Sequence, residues 1–214
     1  MSNEAHTPIV VGSTDALVIV DMQNDFCLPG GALFVAGVQG EPTMEKVIDN
    51  VEKLSYENFH YIVATRDQHP DSRHVEFYIY GRHVIEGTSG AEFVRPLHKA
   101  DYWADYVLTK GENKSLISYS AAVSTEWGRL ICCLRARGIR RIFVCGVAYT
   151  HCAGETAISL AVQNVPVGDA SWEVFIVRDT TRSVSPPYGD PDLMAKKLAL
   201  YGVKEVFVAD LGVM

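Results

Sequence analysis

Residues 16–21 read ALVIVD, and this stretch decides the fold. Five apolar residues, three of them β-branched, make a run too short for a helix and too continuous for a half-exposed strand. A parallel strand covered on both faces has that pattern. The run stops on a carboxylate, Asp21. Working outward, similar runs recur at Tyr61–Ala64, Tyr106–Leu108, Arg141–Val147, Val174–Val177 and Val206–Ala209.

Between the runs the period changes to that of a helix. Met44, Val47, Ile48, Val51 and Leu54 form one apolar stripe. Val123, Trp127, Leu130, Ile131 and Leu134 form a second, which ends at Gly138. Asp190-Pro191 has the form of an N-cap followed by proline at the first helical position. Met194, Leu198 and Tyr201 then make a stripe that stops at Gly202. Alternating strands and helices predict a single-domain, three-layer α/β/α unit over residues 1–214, with an ordered core over about 13–211. Its sheet is expected to be six-stranded, mainly parallel and doubly wound, in the Rossmann-like manner. Residues 68–103 have weak periodicity and many His, Gly and aromatic residues. So long an irregular stretch inside a compact domain is usually functional.

Composition narrows the function classes. The chain has 214 residues, 48% of them hydrophobic and 21% charged, as a globular protein does. A formal charge of -7 with no basic face argues against a nucleic-acid partner. The segment MSNEAHTPIV does not read as a secretory signal, and no apolar stretch is long enough to cross a bilayer. The five cysteines follow no disulfide or CxxC spacing, which suits a reducing compartment and makes a cytoplasmic location the expectation.

In open parallel sheets, ligands bind beyond the carboxyl ends of the strands. Asp21 follows ALVIV, Asp67 follows YIVATR, Lys110 follows YVLT, and Cys152 lies just past RIFVCGV. If those strands are neighbours, the four residues converge on one crevice. Cys152 stands where the next helix should begin, and the helix amino terminus together with the Lys110 ammonium is expected to lower its pKa. Asp21 is then placed to take the thiol proton and return it to a departing amine. A cysteine is more often a small buried hydrophobe, and Cys27, Cys132, Cys133 and Cys145 are read that way. Asp67 and His69, followed by His74 and His83, offer a carboxylate and imidazoles of the kind that hold Zn²⁺ or another divalent transition metal. Pro29-Gly30-Gly31 and Gly87-Thr88-Ser89-Gly90 are turn formers. Neither makes a phosphate loop, and no GxSxG elbow is present.

Taken together, the motifs resemble those of the isochorismatase-like cysteine hydrolases, and within them the nicotinamidases. DALVIVDMQNDFCLPGGAL is similar to the family's first strand and loop, TRDQHPDSRHVEF to its metal loop, and RHVIEGTSGAEF to the segment bearing the last ligand. TKGENKSLISYSAA is similar to its lysine segment, and VCGVAYTHCAGETA to its nucleophile loop. Five motifs in the right order, spanning Asp15 to about Asp210, are far more specific than any one of them.

The resemblance implies Asp21, Lys110 and Cys152 as a catalytic triad, and Asp67, His69 and His83 as metal ligands. His74 falls where some members use a fourth histidine, so it is read either as outer support or as a neighbour of metal-bound water. The resemblance also implies a cis peptide between Val147 and Ala148, with the Ala148 and Cys152 amides aimed at a developing oxyanion. Phe26, Tyr80, Tyr119 and His151, with Val147 and Ala148, are expected around the substrate. The implied activity is hydrolysis of nicotinamide, or pyrazinamide, to the acid and ammonia through a cysteine thioester in NAD salvage. Another small amide or ureide is the alternative substrate. The implied cofactor is a divalent metal, Zn²⁺ first, with Mn²⁺ or Fe²⁺ also compatible, and the implied assembly is a homo-oligomer. Two motifs depart from the pattern. The nucleophile loop reads Ala148-Tyr149-Thr150-His151-Cys152 where A-T-D-Y-C is usual, and Tyr80-Gly81-Arg82-His83-Val84 replaces W-P-x-H-C. Both alter pocket walls and leave the catalytic and ligand positions in place.

Overall fold

β1 (Asp15–Val20) runs through the middle of the sheet, pairing in parallel with β2 (Tyr61–Asp67) on one side and β4 (Arg141–Gly146) on the other. β3 (Tyr106–Lys110) extends the sheet beyond β2, and β5 (Glu173–Val177) and β6 (Lys204–Val206) extend it beyond β4. The order β3-β2-β1-β4-β5-β6, parallel throughout, reverses direction at the β1/β4 boundary. There the connecting segments part and leave a crevice. This computed structural model describes residues 8–97, 104–164 and 171–212. The expected span of 1–214 and its core of 13–211 therefore include stretches outside the described residues, as does the end of the irregular segment at 68–103.

All six residues of β1 are buried because both faces are covered. One face packs against α4 (Trp127–Ala136), α5 (Cys152–Val162) and α6 (Pro191–Leu200), through Ala16, Val18, Val20, Ile142 and Val144. The other packs against α2 (Met44–Ser55) through Leu17, Ile19, Phe143 and Cys145. On that second face the short helix α1 (Asn24–Cys27) and parts of the 68–103 segment, which holds the short helix α3 (Phe77–Tyr80), complete the cover, with Phe26, Val84 and Val94 in the same apolar cluster. The helical stripes behave as read except at Val123 and Tyr201. The Thr43 side chain caps α2, and Asp190 accepts from the Leu193 amide at 3.0 Å ahead of Pro191.

Some boundaries move. β2 and β3 run past their apolar runs to Asp67 and Lys110, which pair in register. The run at Val206–Ala209 is mostly a 3-10 turn (Val208–Leu211), and the last strand lies earlier, at Lys204–Val206. A short edge strand needs only one partner, so its apolar residues need not coincide with its hydrogen bonds. Val123 belongs to a separate 3-10 turn (Ala121–Val123), and Tyr201 caps α6 instead of facing the core. Among the described residues no helix is long and apolar enough to cross a membrane.

Candidate active site

The four strand-end residues singled out in the sequence converge because β3, β2, β1 and β4 are consecutive in the sheet. Asp67 and Lys110 are the last residues of their strands. Asp21 follows β1 directly, in the left-handed region at φ 50°, which a non-glycine residue rarely occupies. Cys152 is the first residue of α5, reached from β4 through a cis peptide between Val147 and Ala148.

Lys110 ties the cluster together. Its Nζ lies 2.8 Å from Asp21 Oδ2, 3.2 Å from Asp67 Oδ2 and 3.7 Å from Cys152 Sγ, and its side chain is fully buried. Burial works against the ammonium, yet the Asp21 and Asp67 carboxylates more than offset it and hold the Lys110 pKa well above the usual value. Thr65 Oγ1 donates to Asp21 Oδ1 at 2.6 Å. Oδ2, although close to the ammonium, has no aligned hydrogen bond among the described residues and so keeps accepting capacity.

The expected lowering of the Cys152 pKa is not what the site produces. Burial dominates; Lys110 opposes it, but Asp21, Asp67 and Glu76 add negative potential, and the thiol is pushed well above its ordinary value. The helix terminus and one ammonium were legible in the sequence, whereas the dry surroundings and the number of carboxylates were not. Cys27 and Cys145 are buried, with pKa values raised by desolvation, as inert thiols should be. Among the described residues, neither the Ala148 nor the Cys152 backbone amide donates to another protein group.

Beside this triad, Asp67, His69, Glu76 and His83 each offer a ligand atom, all within 4.8 Å of one another and all buried. His69 Nδ1 donates to the Gly111 carbonyl at 2.9 Å and His83 Nδ1 to the Gly81 carbonyl at 2.7 Å, which turns both Nε2 atoms inward as acceptors. His69 Nε2 is buried without a hydrogen-bond partner, and burial lowers the pKa of both rings so that they are neutral. A cluster of two carboxylates and two neutral imidazoles around an orphaned nitrogen fits a divalent transition metal. Gly111, at φ +85°, is required beside it, since a Cβ there would overlap the Asp67 carboxylate and the His69 ring. Val84 sits at φ 40° immediately after His83 and is held by Asp25, whose Oδ2 accepts its amide at 2.7 Å. His74 is not in the set. Its Nε2 donates to the Asn113 carbonyl, its Nδ1 accepts the Glu76 amide, and its ring stacks on His69 at 3.9 Å. Both of its ring nitrogens are thus engaged by protein groups.

Glu76 was not singled out in the sequence. A glutamate in an irregular loop is ordinarily solvated, and only its position between two candidate ligand histidines could have marked it. In the fold it is 3% exposed, and Ser118 donates to its Oε1 from the backbone amide at 2.7 Å and from the hydroxyl at 2.8 Å. Burial opposes its charge, but the two Ser118 bonds, with Lys110 and His69, hold its pKa below the usual carboxylate value. Asp67 goes the other way. Burial dominates over the Lys110 attraction and, with Asp21 and Glu76 nearby, lifts its pKa to about 7.

A cavity opens onto both clusters, with Asp67, Glu76 and His83 at one side and Cys152 at another. All six pocket residues expected from the sequence line it: Phe26, Tyr80, Tyr119, Val147, Ala148 and His151. Tyr80 Oη lies 2.6 Å from Tyr119 Oη and 3.2 Å from His151 Nε2, so the two departures from the family pattern meet in one polar wall. Leu33, the last residue of the first motif, lines the cavity as well, and so do Val35 and Val184, from loops outside the motifs.

The isochorismatase domain model matches residues 15–202. The nicotinamidase/pyrazinamidase of Mycobacterium tuberculosis is 34% identical over 148 residues, covering 66% of this chain and 76% of the relative. The L. infantum structure in complex with nicotinate superposes with a TM-score of 0.78 at 32% identity, covering 95% of this chain and 98% of the other. The Pyrococcus horikoshii pyrazinamidase structure in complex with zinc gives 0.69 at 31% identity, covering 91% and 99%. Sheet order, strand-end chemistry and sequence similarity therefore converge, and the chain belongs to the isochorismatase-domain family, on the branch that holds these nicotinamidases and pyrazinamidases.

Proposed function

We propose that the protein is an amidohydrolase that converts nicotinamide to nicotinate and ammonia through a thioester on Cys152, a reaction that feeds NAD salvage. One observation carries the reading: a single buried ammonium, Lys110, touches the Asp21 carboxylate, the Asp67 carboxylate and the Cys152 sulfur. Similarity to nicotinamidases, including one solved with nicotinate, supports the substrate. Pyrazinamide fits the same chemistry.

Asp67, His69, Glu76 and His83 are the residues that would hold a divalent metal, for which the zinc-bound relative favours Zn²⁺. Such an ion supplies a Lewis-acidic anchor for a ring nitrogen. The chain's own residues do the rest. The resting Cys152 is a thiol, so attack on the carboxamide carbon and proton transfer to Asp21 Oδ2 belong to one step. Lys110 stays protonated and stabilises the sulfur as its charge develops. The unengaged amides of Ala148 and Cys152 receive the oxyanion. Asp21 returns the proton to departing ammonia and the thioester forms. It then takes a proton from water, whose oxygen displaces the sulfur, and passes that proton back to Cys152, while the product acid loses its own proton to solvent and leaves as the carboxylate. Phe26 and the Tyr80–Tyr119–His151 wall position the ring. The free thiols suit a cytoplasmic setting, and a homo-oligomer is the assembly to test by light scattering.

The deciding measurement is ammonia release from nicotinamide, with pyrazinamide and benzamide alongside, in the presence of zinc and a reductant. Fast release from the first two and little from benzamide, which lacks the ring nitrogen, is expected. Release from none of them would move the activity to another small amide or ureide.

A further inference from the structure

Ser118 lies in the segment after β3, 2% exposed, next to the pocket residue Tyr119. A glutamate side chain has three rotatable bonds and two equivalent oxygens, so nothing intrinsic to Glu76 directs one oxygen at the histidines. Ser118 supplies that direction. Its amide and its hydroxyl both donate to Glu76 Oε1, at 2.7 and 2.8 Å, and occupy that oxygen. Oε2 is left free, and it faces His69 Nε2 at 3.8 Å and His83 Nε2 at 3.9 Å. The same hydroxyl is 3.4 Å from Asp67 Oδ1, but its one hydrogen goes to the nearer Glu76 oxygen.

We infer that Ser118 is a positioning residue that aims Glu76 into the metal cluster and so makes a fourth ligand of it. The inference rests on the metal site of the proposed function, but not on its substrate. Outer hydrogen bonds of this kind are worth about 10- to 100-fold in metal affinity. The hydroxyl is one of two bonds to Oε1, so its loss should sit near the low end of that range.

The test is a double-mutant cycle read by Zn²⁺ titration of the purified, substrate-free full-length chain against a chromophoric chelator. Ser118→Ala should weaken zinc binding about tenfold while the metal-free protein keeps its Tm. Glu76→Gln should weaken it at least as much. In the Glu76→Gln background, Ser118→Ala should cost nothing further, because its effect passes through Glu76. Unchanged affinity in Ser118→Ala overturns the inference. So does an equal penalty in both backgrounds, which would mark general loosening of the fold, and so does a wild-type protein that binds no zinc. Absence of nicotinamide hydrolysis would overturn the activity alone, since no substrate enters this titration.

Discussion

Two aspartates bracket β1, and both are wholly buried. At the amino end, Asp15 is closed. Arg141 meets it with a fork, Nε to Oδ1 at 2.7 Å and Nη2 to Oδ2 at 2.6 Å, and the Gly12 amide adds a third bond to Oδ2 at 2.7 Å. At the carboxyl end, Asp21 is left open. Thr65 takes Oδ1, and the Lys110 ammonium near Oδ2 is divided among Asp67, Cys152 and Asp21 itself. A guanidinium fork suits a permanent pair, whereas an ammonium is a point charge that several groups can share. The residue type, strand and burial are the same at both ends. Whether the carboxylate's accepting capacity is used up separates a group that holds the fold from one that moves a proton.

Breaking the open end should abolish chemistry and spare the fold. Cys152→Ala should lower kcat by about 10⁴-fold or more, with ligand binding and Tm near wild type. Single-turnover assays check this, and substantial residual turnover would sink the thioester route. Asp21→Asn removes the proton carrier but keeps the shape, and a loss of about 10³-fold in kcat is expected. Its effect on Tm should be smaller than that of the next variant. Asp15→Asn breaks the closed end, strands Arg141 and weakens a buried acceptor. It should cost about 2 to 3 kcal/mol in denaturant unfolding, at the low end for a broken buried pair because Arg141 keeps some solvent contact, with kcat unchanged. If Asp15→Asn lowered kcat as far as Asp21→Asn, the contrast between the two ends would be wrong.

The same contrast explains what the sequence disclosed. Apolar runs revealed five strands, because burial leaves a continuous signature, and touched the sixth only at Val206, since Lys204 and Glu205 are exposed on the sheet's edge. They stopped short in β2 and β3, because Arg66-Asp67 and Thr109-Lys110 continue the backbone ladder with polar side chains. Asp21, Lys110 and Cys152 were legible as reactive residues just past strand ends, and Asp67, His69 and His83 as ligand types at close spacing. Glu76 was not, because its role depends on burial and on Ser118, a residue 42 positions away. Nor was the direction of the Cys152 pKa, which depends on how many carboxylates the fold gathers around one ammonium.

The finest test of the open end lies in Asp67, which stands between the triad and the metal cluster. A ligand must shed its proton to bind a metal, so the protonation states of the metal-free cluster set how zinc affinity changes with pH. His69 and His83 have lowered pKa values and are already neutral near pH 7, and Glu76, lowered as well, is already ionised. Asp67, at about 7, still carries a proton in mildly acidic solution. Its raised value means that the metal-free protein binds a proton below pH 7 which zinc has to displace, and that little is left to displace a unit or more above it. Zinc affinity should therefore rise about fivefold between pH 6 and 7 and flatten by about pH 8, with close to one proton released per ion on the acidic side. Chelator competition across that range, with calorimetry in buffers of different ionisation enthalpy, counts the proton. A slope near two would place a second proton on a histidine. A flat profile would mean that Asp67 is ionised throughout, held by Lys110 as firmly as Asp15 is held by Arg141, and the difference between the two ends of the strand would then stop at Asp21.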